Sequence, residues 1–234
     1  MLTSLVRAAL VALLCVSTPR ASLQAQDVAY AASLSELDSA TQVALGTEMA
    51  RARARGLPVD PLIAKVREGR LKRAPAARIR AAVERLSERL SVARDALGAM
   101  SSSEEVIAGA DAIAAGAQPA TLRAVRAATT QSVTASIGAL AQLLASGVSE
   151  TKAMDMVLSL LRRHAPPAAL IALGNQVETD VATGLSASAS AAFRLRAIET
   201  QLSDATAASA VFGNFGDATA VGSTPPSGAP RRKP

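Results

Sequence analysis

A recurring break between alanine- and leucine-rich segments is the feature that most constrains how this chain can fold. At four places a helix-favouring stretch ends in a glycine, then an apolar or small residue, then Pro, Ser or Gln; the glycines are Gly56, Gly116, Gly147 and Gly184. Glycine readily takes the left-handed conformation that closes a helix C-terminus, and Ser or Pro suits the start of the next helix. The pattern predicts tight turns between antiparallel helices.

Pro75 and Pro166 indicate a second type of turn, in which proline occupies the first turn of the following helix. Pro75 follows Gly56 by 19 residues, and Pro166 follows Gly147 by the same distance. The two turn types therefore occur together at one fixed spacing.

This spacing indicates an internal duplication of a two-helix unit, at 54–90 and 145–181. Aligned without a gap, the two segments share seven identical residues, including Val66 with Val157. Four of the seven are alanines, which match easily in an alanine-rich chain. The duplication is a hypothesis at this point.

The composition also favours packed helices. Half of the residues are hydrophobic, yet the chain has one Tyr, three Phe and no Trp. Alanine is the strongest helix former, and small side chains let helices approach closely. We expect an all-α fold, either a compact bundle or a short superhelical stack of antiparallel helical hairpins, with no sheet. A single domain is predicted over 26–202, followed by a flexible tail rich in Gly, Pro and Ser over 203–234.

Hydrophobic periodicity and capping signals place nine helices. Eight of them are expected at about 35–53, 61–72, 75–97, 102–115, 132–145, 150–162, 166–182 and 189–202. The remaining one, the fifth in chain order, is short and begins at 119. Capping boxes are predicted for Ser33 with Glu36, and for Ser101 or Ser102 with Glu104 or Glu105. The third helix has an apolar seam that is interpreted first as internal packing and only second as a surface for a partner; it consists of Ile79, Val83, Leu86, Leu90, Ala93 and Leu97.

The N-terminus has the layout of a secretory signal peptide. A basic segment, 1–7, precedes an unbroken apolar run, 8–16, and Leu23-Gln24-Ala25 places a small residue, Ala25, before the predicted cleavage. The run is shorter than the roughly 20 residues that a membrane span needs. We therefore expect a signal peptide at 1–25, an exported protein that is periplasmic or secreted, and no transmembrane span in the mature chain.

Cys15 is the one cysteine of the chain and lies inside the predicted leader. Leu13 and Leu14 precede it, which disfavours a lipid attachment site, because such a site needs a small residue there. The mature chain would then have no disulfide, no thiolate chemistry and no cysteine-ligated zinc.

Residues suited to catalysis are sparse. His164 is the single histidine, which excludes a multi-histidine metal site, and it lies at a predicted helix end. Glu104 and Glu105 are adjacent and do not share a helix face, so they are interpreted as partners of a helix N-terminus. The sequence predicts no catalytic residue, no metal ligand and no cofactor.

Basic residues are concentrated in one segment. From Arg51 to Asp95 there are thirteen bases and five acids. A patch for lipid headgroups, an acidic polysaccharide or an acidic protein is one interpretation, and a solvated face is the more common one. The candidate binding residues are Arg51, Arg53, Arg55, Lys65, Arg67, Arg70, Lys72 and Arg73.

Nucleic acid is not expected as a partner. An exported protein is separated from its genome, and no aromatic residue lies between Tyr30 and Phe193 to stack on bases. The leading hypothesis is an exported, non-catalytic interaction or structural module that binds an unknown protein or an anionic envelope component. The alternatives are binding of anionic envelope surfaces through Arg51–Arg94, and an enzyme of unknown class, which a deep pocket holding several acids would favour.

Overall fold

The computed structural model describes residues 37–213, with side chains through residue 205. Within this range the chain forms nine α-helices and no strand, which confirms the all-α prediction. The helices are α1 (Ser39–Ala54), α2 (Asp60–Leu71), α3 (Ala76–Leu97), α4 (Ser103–Ala114), α5 (Pro119–Ala127), α6 (Thr134–Ala145), α7 (Glu150–Arg162), α8 (Pro167–Ala182) and α9 (Ala187–Gly213). The chain divides into two compact units, one ending at Glu88 and one beginning at Arg89. The single domain over 26–202 stays a prediction.

Two helix ends differ from the predicted ones. The first helix begins at Ser39, and Asp38 caps it by accepting a hydrogen bond from the Thr41 N–H at 2.9 Å. The last helix continues past Leu202 to Gly213, because the segment that follows is rich in alanine. The part of the predicted tail up to residue 213 is therefore helical. The predicted leader, the Ser33–Glu36 capping box and residues 214–234 lie outside the described residues.

The glycine turns have the predicted geometry. Gly56, Gly116, Gly147 and Gly184 have positive φ angles of 66°, 109°, 92° and 100°. In each turn the N–H of the next residue donates to a carbonyl five residues earlier, as in Val148 to Leu143 at 2.9 Å, which is the Schellman closure. The apolar residue after the glycine is buried in three turns; the fourth, Leu185, is 51% exposed.

Arg73 and His164 carry the same left-handed backbone without being glycine. Their φ angles are 50° and 53°, and they are the two non-glycine residues with positive φ among those described. The residue after each one donates to a carbonyl five positions back, Ala74 to Gly69 at 2.9 Å and Ala165 to Leu160 at 3.0 Å. Arg73 and His164 are also 91 residues apart, the offset that relates the two predicted repeat segments.

Burial follows the same offset. Seven pairs of apolar residues 91 positions apart are buried at both positions: Met49 and Leu140, Ala52 and Leu143, Leu57 and Val148, Leu62 and Ala153, Val66 and Val157, Ile79 and Leu170, Leu86 and Val177. The preceding helices also end at matching positions, Ala54 and Ala145. The shared turns and shared buried positions support the duplication and extend it to α1 and α6.

The apolar seam of α3 is internal. All six of its residues are at most 8% exposed. The seam therefore belongs to the core and offers no surface to a partner.

The second unit is built in two layers. Helix α6 lies between α4 and α8, α5 contacts α7 behind them, and α9 packs along α8. Small residues set the close spacing, because a Cβ added to Gly109 would lie 2.9 Å from the Cβ of Ala93. Within the layer of α5 and α7, Glu150 of α7 accepts hydrogen bonds from the Gln118 N–H and the Thr121 hydroxyl at the start of α5, both at 2.6 Å. No helix between residues 37 and 213 is both long and apolar enough to cross a lipid bilayer.

Candidate functional site

An open groove runs along the outer surface of α6, with α4 and α8 as its two walls. Its volume is about 550 Å³, within the range of roughly 300–1,000 Å³ that is usual for ligand sites. The floor is made of small residues of α6, among them Ala135, Gly138 and Ala141; Ala108 of α4 and Ile171 of α8 line the sides. The groove is therefore predominantly apolar and shallow.

The floor is open because α6 has small side chains on this face. Nothing lies within 4 Å of a Cβ built on Gly138, so space above this residue is free. Towards α8 the floor is closed by Gln142, whose amide donates to the Asn175 side-chain oxygen at 2.8 Å. Ile171 is 49% exposed at the edge of the groove. A ligand in the groove could approach the α6 backbone closely and contact the apolar side chain of Ile171.

The three helices that form the groove carry charge of one sign. Helices α4, α6 and α8 contain five acids and no Lys or Arg. Asp111 lines the groove and is exposed. Glu178 is also exposed and lies two helical turns beyond Ile171, on the same side of α8. The groove is therefore apolar along its floor, and Asp111 is the one acid among its lining residues.

One of these acids, Glu105, is buried and connects α4 to neighbouring segments by hydrogen bonds. Its carboxylate accepts from the Val133 N–H at 2.9 Å, the Ser102 N–H at 3.0 Å and the Arg126 guanidinium at 3.2 Å. Burial by itself raises the pKa of this carboxyl, but the two backbone N–H groups and the Arg126 charge outweigh it, so the pKa is lowered. The Ser102–Glu105 capping box is thereby confirmed, and Glu105 also joins α4 to the start of α6.

A second acid, Asp180, joins α8 to α9. Arg194 approaches its carboxylate in a bidentate manner at 2.7 and 2.8 Å, and the Ser190 hydroxyl donates at 2.6 Å. These donors lower the pKa of Asp180 to about 2, with Arg194 as the largest cause. The α8 wall is therefore fixed to its neighbour by a charged network.

The predicted basic residues lie in the first unit and are mostly exposed. Lys65 and Arg70 are half-buried, and the exposed ones are Arg51, Arg53, Arg55, Arg67, Lys72 and Arg73. The segment 37–88 contains eleven bases and six acids, a balance of +5. The structure keeps these residues on α1, α2 and the turns that follow them.

Part of this positive charge is neutralised locally. Glu68 accepts hydrogen bonds from Lys65 and Lys72, both at 2.6 Å, and these two cations lower its pKa to about 2. Arg51 pairs with Glu48 at 2.6 Å. The basic segment thus has the mixed charge of a solvated face, with a positive excess remaining.

His164 is exposed and occupies the left-handed position after α7, so its place in the fold is a turn position. Across the part of the chain that the structure describes, no group of three or more His, Cys, Asp or Glu side chains could hold a metal ion. The chain matches no family model, no curated protein and no solved structure.

The groove was not predicted from the sequence, although a signal was present. Helix α6 has no charged residue along its twelve positions. Its small residues also occupy positions that the neighbouring helices do not bury, among them Ala135, Gly138 and Ala141. The periodicity of α6 predicts a helix, but it does not indicate which small residues remain exposed once α4 and α8 are packed beside it.

Proposed function

We propose that this protein is an exported, non-catalytic interaction module whose binding site is the groove over α6. The observation that carries the proposal is the open, apolar groove over α6 that α4 and α8 border. Its open shape suits a segment of another macromolecule better than an enclosed small molecule. An enzyme of unknown class stays an untested alternative; Asp111 is the one acid among the residues that line the groove.

The walls of the groove are held in place before any ligand binds. Glu105 fixes α4 against the segment leading into α6, and Asp180 fixes α8 against α9. A preformed site loses less conformational entropy on binding, so the same contacts give higher affinity. This rigidity supports a role in recognition.

Export is the second part of the proposal, and the N-terminal pattern supports it. When the full gene product is expressed in a secreting bacterial host, we expect the exported protein to begin near Gln26. N-terminal sequencing of the material outside the cytoplasm measures this directly. Accumulation of the uncleaved chain in the cytoplasm would contradict it.

The binding role can be tested by selecting ligands from a library of helical and extended peptides against residues 26–234. We expect enriched peptides to bind with micromolar dissociation constants and to lose at least tenfold in affinity when Gly138→Leu fills the groove, roughly 1.4 kcal/mol. Gly138→Ala is the matched control, because a Cβ there meets no other atom. Enrichment of no peptide, or enriched peptides indifferent to Gly138→Leu, would contradict the role.

A second candidate function is binding of anionic envelope surfaces by the basic segment, supported by its exposed cations and its balance of +5. Replacing Arg67, Arg70 and Lys72 together by alanine is expected to weaken binding to anionic vesicles, and added salt should weaken it further. The matched control removes three exposed bases of the second unit, Arg123, Arg162 and Arg196. Equal loss in both triple variants, or salt-independent binding, would argue against a specific patch.

A further inference from the structure

We propose that the C-terminal end of α2 binds the surface of an anionic lipid bilayer, and that Leu71 inserts its side chain below the headgroups. The inference rests on the second candidate function given above, since it names the surface that the basic segment binds. Three features support it: the exposure of Leu71, the position of the positive charge in the first unit, and the residue at the equivalent position of the second repeat segment.

Leu71 is the last residue of α2, and its side chain lies in solvent. It is 86% exposed and is the one exposed large apolar residue from Arg51 to Asp95, a range that the structure describes in full. Leu62 and Val66 of the same helix are fully buried, and Leu71 follows Leu62 by two and a half turns, which places it on the opposite side. Single exposed leucines are common at protein surfaces, so the argument depends on what surrounds this one.

The positive charge of the first unit is concentrated around Leu71. The segment 60–80 contains seven bases and two acids, a balance of +5, which equals the balance of the whole range 37–88. Arg73 lies in the turn directly after α2, and Arg78 lies in the first turn of α3; both are exposed. The exposed leucine is therefore at the centre of the charge excess.

Neither acid of this segment cancels the charge next to Leu71. Glu68 pairs with Lys65 and Lys72, both at 2.6 Å, so these three groups together still carry one positive charge. Asp60 is at the opposite end of α2, about 16 Å from Leu71 along the helix axis. The rest of the excess is carried by arginines, whose guanidinium groups bind phosphate by paired hydrogen bonds.

The combination of charge and one apolar side chain favours a bilayer over the other anionic partners. An acidic polysaccharide is hydrated throughout, so contact with it leaves Leu71 in water. Protein interfaces concentrate their binding energy in a packed centre enriched in aromatic residues, and residues 31–192 contain no Phe, Tyr or Trp. A bilayer of anionic lipid presents phosphate groups to the arginines and an apolar layer beneath them to Leu71.

The second repeat segment shows that the fold does not require leucine at this position. Arg162 follows Leu71 by 91 residues, is likewise the last residue of its helix, and is also exposed. The same backbone therefore accepts an apolar or a charged residue here. Substitutions of Leu71 should leave the fold intact for this reason, and circular dichroism confirms that before binding is measured.

Binding of residues 26–234 to vesicles of phosphatidylglycerol and phosphatidylcholine tests the role of the apolar side chain. Cosedimentation should show that Leu71→Ser weakens binding at least tenfold, about 1.4 kcal/mol, since serine gains nothing from the apolar layer. Leu185→Ser is the matched control, because Leu185 is 51% exposed in the glycine turn after α8 and no Lys or Arg lies within eight residues of it in the sequence. Its substitution should leave binding unchanged.

The chain has no tryptophan, so one introduced residue reports its own surroundings. On addition of the anionic vesicles, the fluorescence of the Leu71→Trp variant should shift to shorter wavelength and be quenched by brominated lipid. Leu185→Trp is the control and should keep the emission of a side chain in water. Vesicles of phosphatidylcholine alone, or polygalacturonate as an acidic polysaccharide, should shift neither variant.

The outcomes separate this inference from the function on which it rests. If Leu71→Ser binds vesicles as tightly as the unchanged chain while the triple alanine variant of the basic segment does not, insertion is overturned and binding of anionic surfaces stands. Binding of polygalacturonate without binding of vesicles also overturns the bilayer as the partner. Equal shifts for Leu71→Trp and Leu185→Trp would contradict insertion directed by the basic segment. If the unchanged chain binds neither vesicles nor polysaccharide, the second candidate function fails as well.

Discussion

The two repeat segments of this protein share backbone features but differ in surface charge, since 54–90 is strongly basic and 145–181 is close to neutral. Gly56 and Gly147 close equivalent turns, and seven pairs of equivalent apolar positions are buried. On the outside, Gln142 and Ile171 of the groove correspond to Arg51 and Arg80 at the same offset. One segment therefore has basic residues where the other has uncharged residues of the groove.

Different residues therefore determine the helix arrangement and the surface that is available for recognition. Buried apolar residues and left-handed turn positions set the helix arrangement, and both segments keep them. Exposed positions are not constrained in this way, so their charge can differ without changing the helices.

If the two segments share one core arrangement, equivalent truncations should have similar costs. Met49→Ala and Leu140→Ala each remove a fully buried side chain, and each should lower the free energy of unfolding by about 3 kcal/mol. Urea denaturation measures both. Val43→Ala, at a residue that is 70% exposed, is the control and should change it little. A negligible effect at either buried position would break the comparison.

The second prediction concerns the hydrogen bonds that the buried carboxylate of Glu105 accepts in the second unit. Glu105→Ala leaves the N–H groups of Val133 and Ser102 without their acceptor, so the free energy of unfolding should fall by about 2–3 kcal/mol. The control is Glu104→Ala at the exposed neighbour, with a loss below about 1 kcal/mol. Equal losses would show that Glu105 acts only as a charge at the helix N-terminus.

Gly109 lies at a close helix contact, whereas Gly138 faces open space, so substitutions at the two glycines should have different effects. Gly109→Ala brings a Cβ within 2.9 Å of the Ala93 Cβ, which cannot rotate away. We expect a net loss of about 1–2 kcal/mol, because the clash outweighs the helix propensity that alanine gains. Gly138→Ala meets no atom and should stabilise by about 0.5–1 kcal/mol. Thermal unfolding followed by circular dichroism checks both signs, and a stabilising Gly109→Ala would contradict the tight α3–α4 contact.

The smallest effect compares one carboxylate in each unit. The pKa values of Asp180 and Glu68 are both lowered to about 2, so the stability each contributes is present above its unfolded pKa near 4 and is lost as the pH falls towards 2. Asp180→Asn should flatten the pH dependence of the melting temperature between 4 and 2 more than Glu68→Gln. The reason is exposure: 13% for the Asp180 side chain and 43% for Glu68, whose ion pairs water screens more. The reverse order would contradict the role of Asp180 in fixing α8.

Much of the fold was predictable from sequence because its determinants are local. A glycine after a helix, a Ser–Glu capping box and the seam of α3 each act within a few residues, and the structure confirms all three. The end of α9 was wrong, because its small residues resemble a linker in composition while alanine favours helix.

The groove could not be predicted in the same way, since it depends on which helices become neighbours. Small residues on α6 are compatible with a buried helix as well as with an exposed floor. Only the placement of α4 and α8 leaves Gly138 open and Ile171 half exposed. Charge clustering, the signal that sequence offers most readily, directs attention to the basic segment of the other unit.

Hydrogen–deuterium exchange of residues 26–234, with and without a saturating peptide selected from the library, can show whether recognition takes place at the groove over α6. The account predicts slower exchange in α4, α6 and α8, greatest around Gly138, with α1 and α2 unchanged. Protection in α1 and α2, or no protection in α6 while the peptide is bound, would contradict the assignment of recognition to the groove.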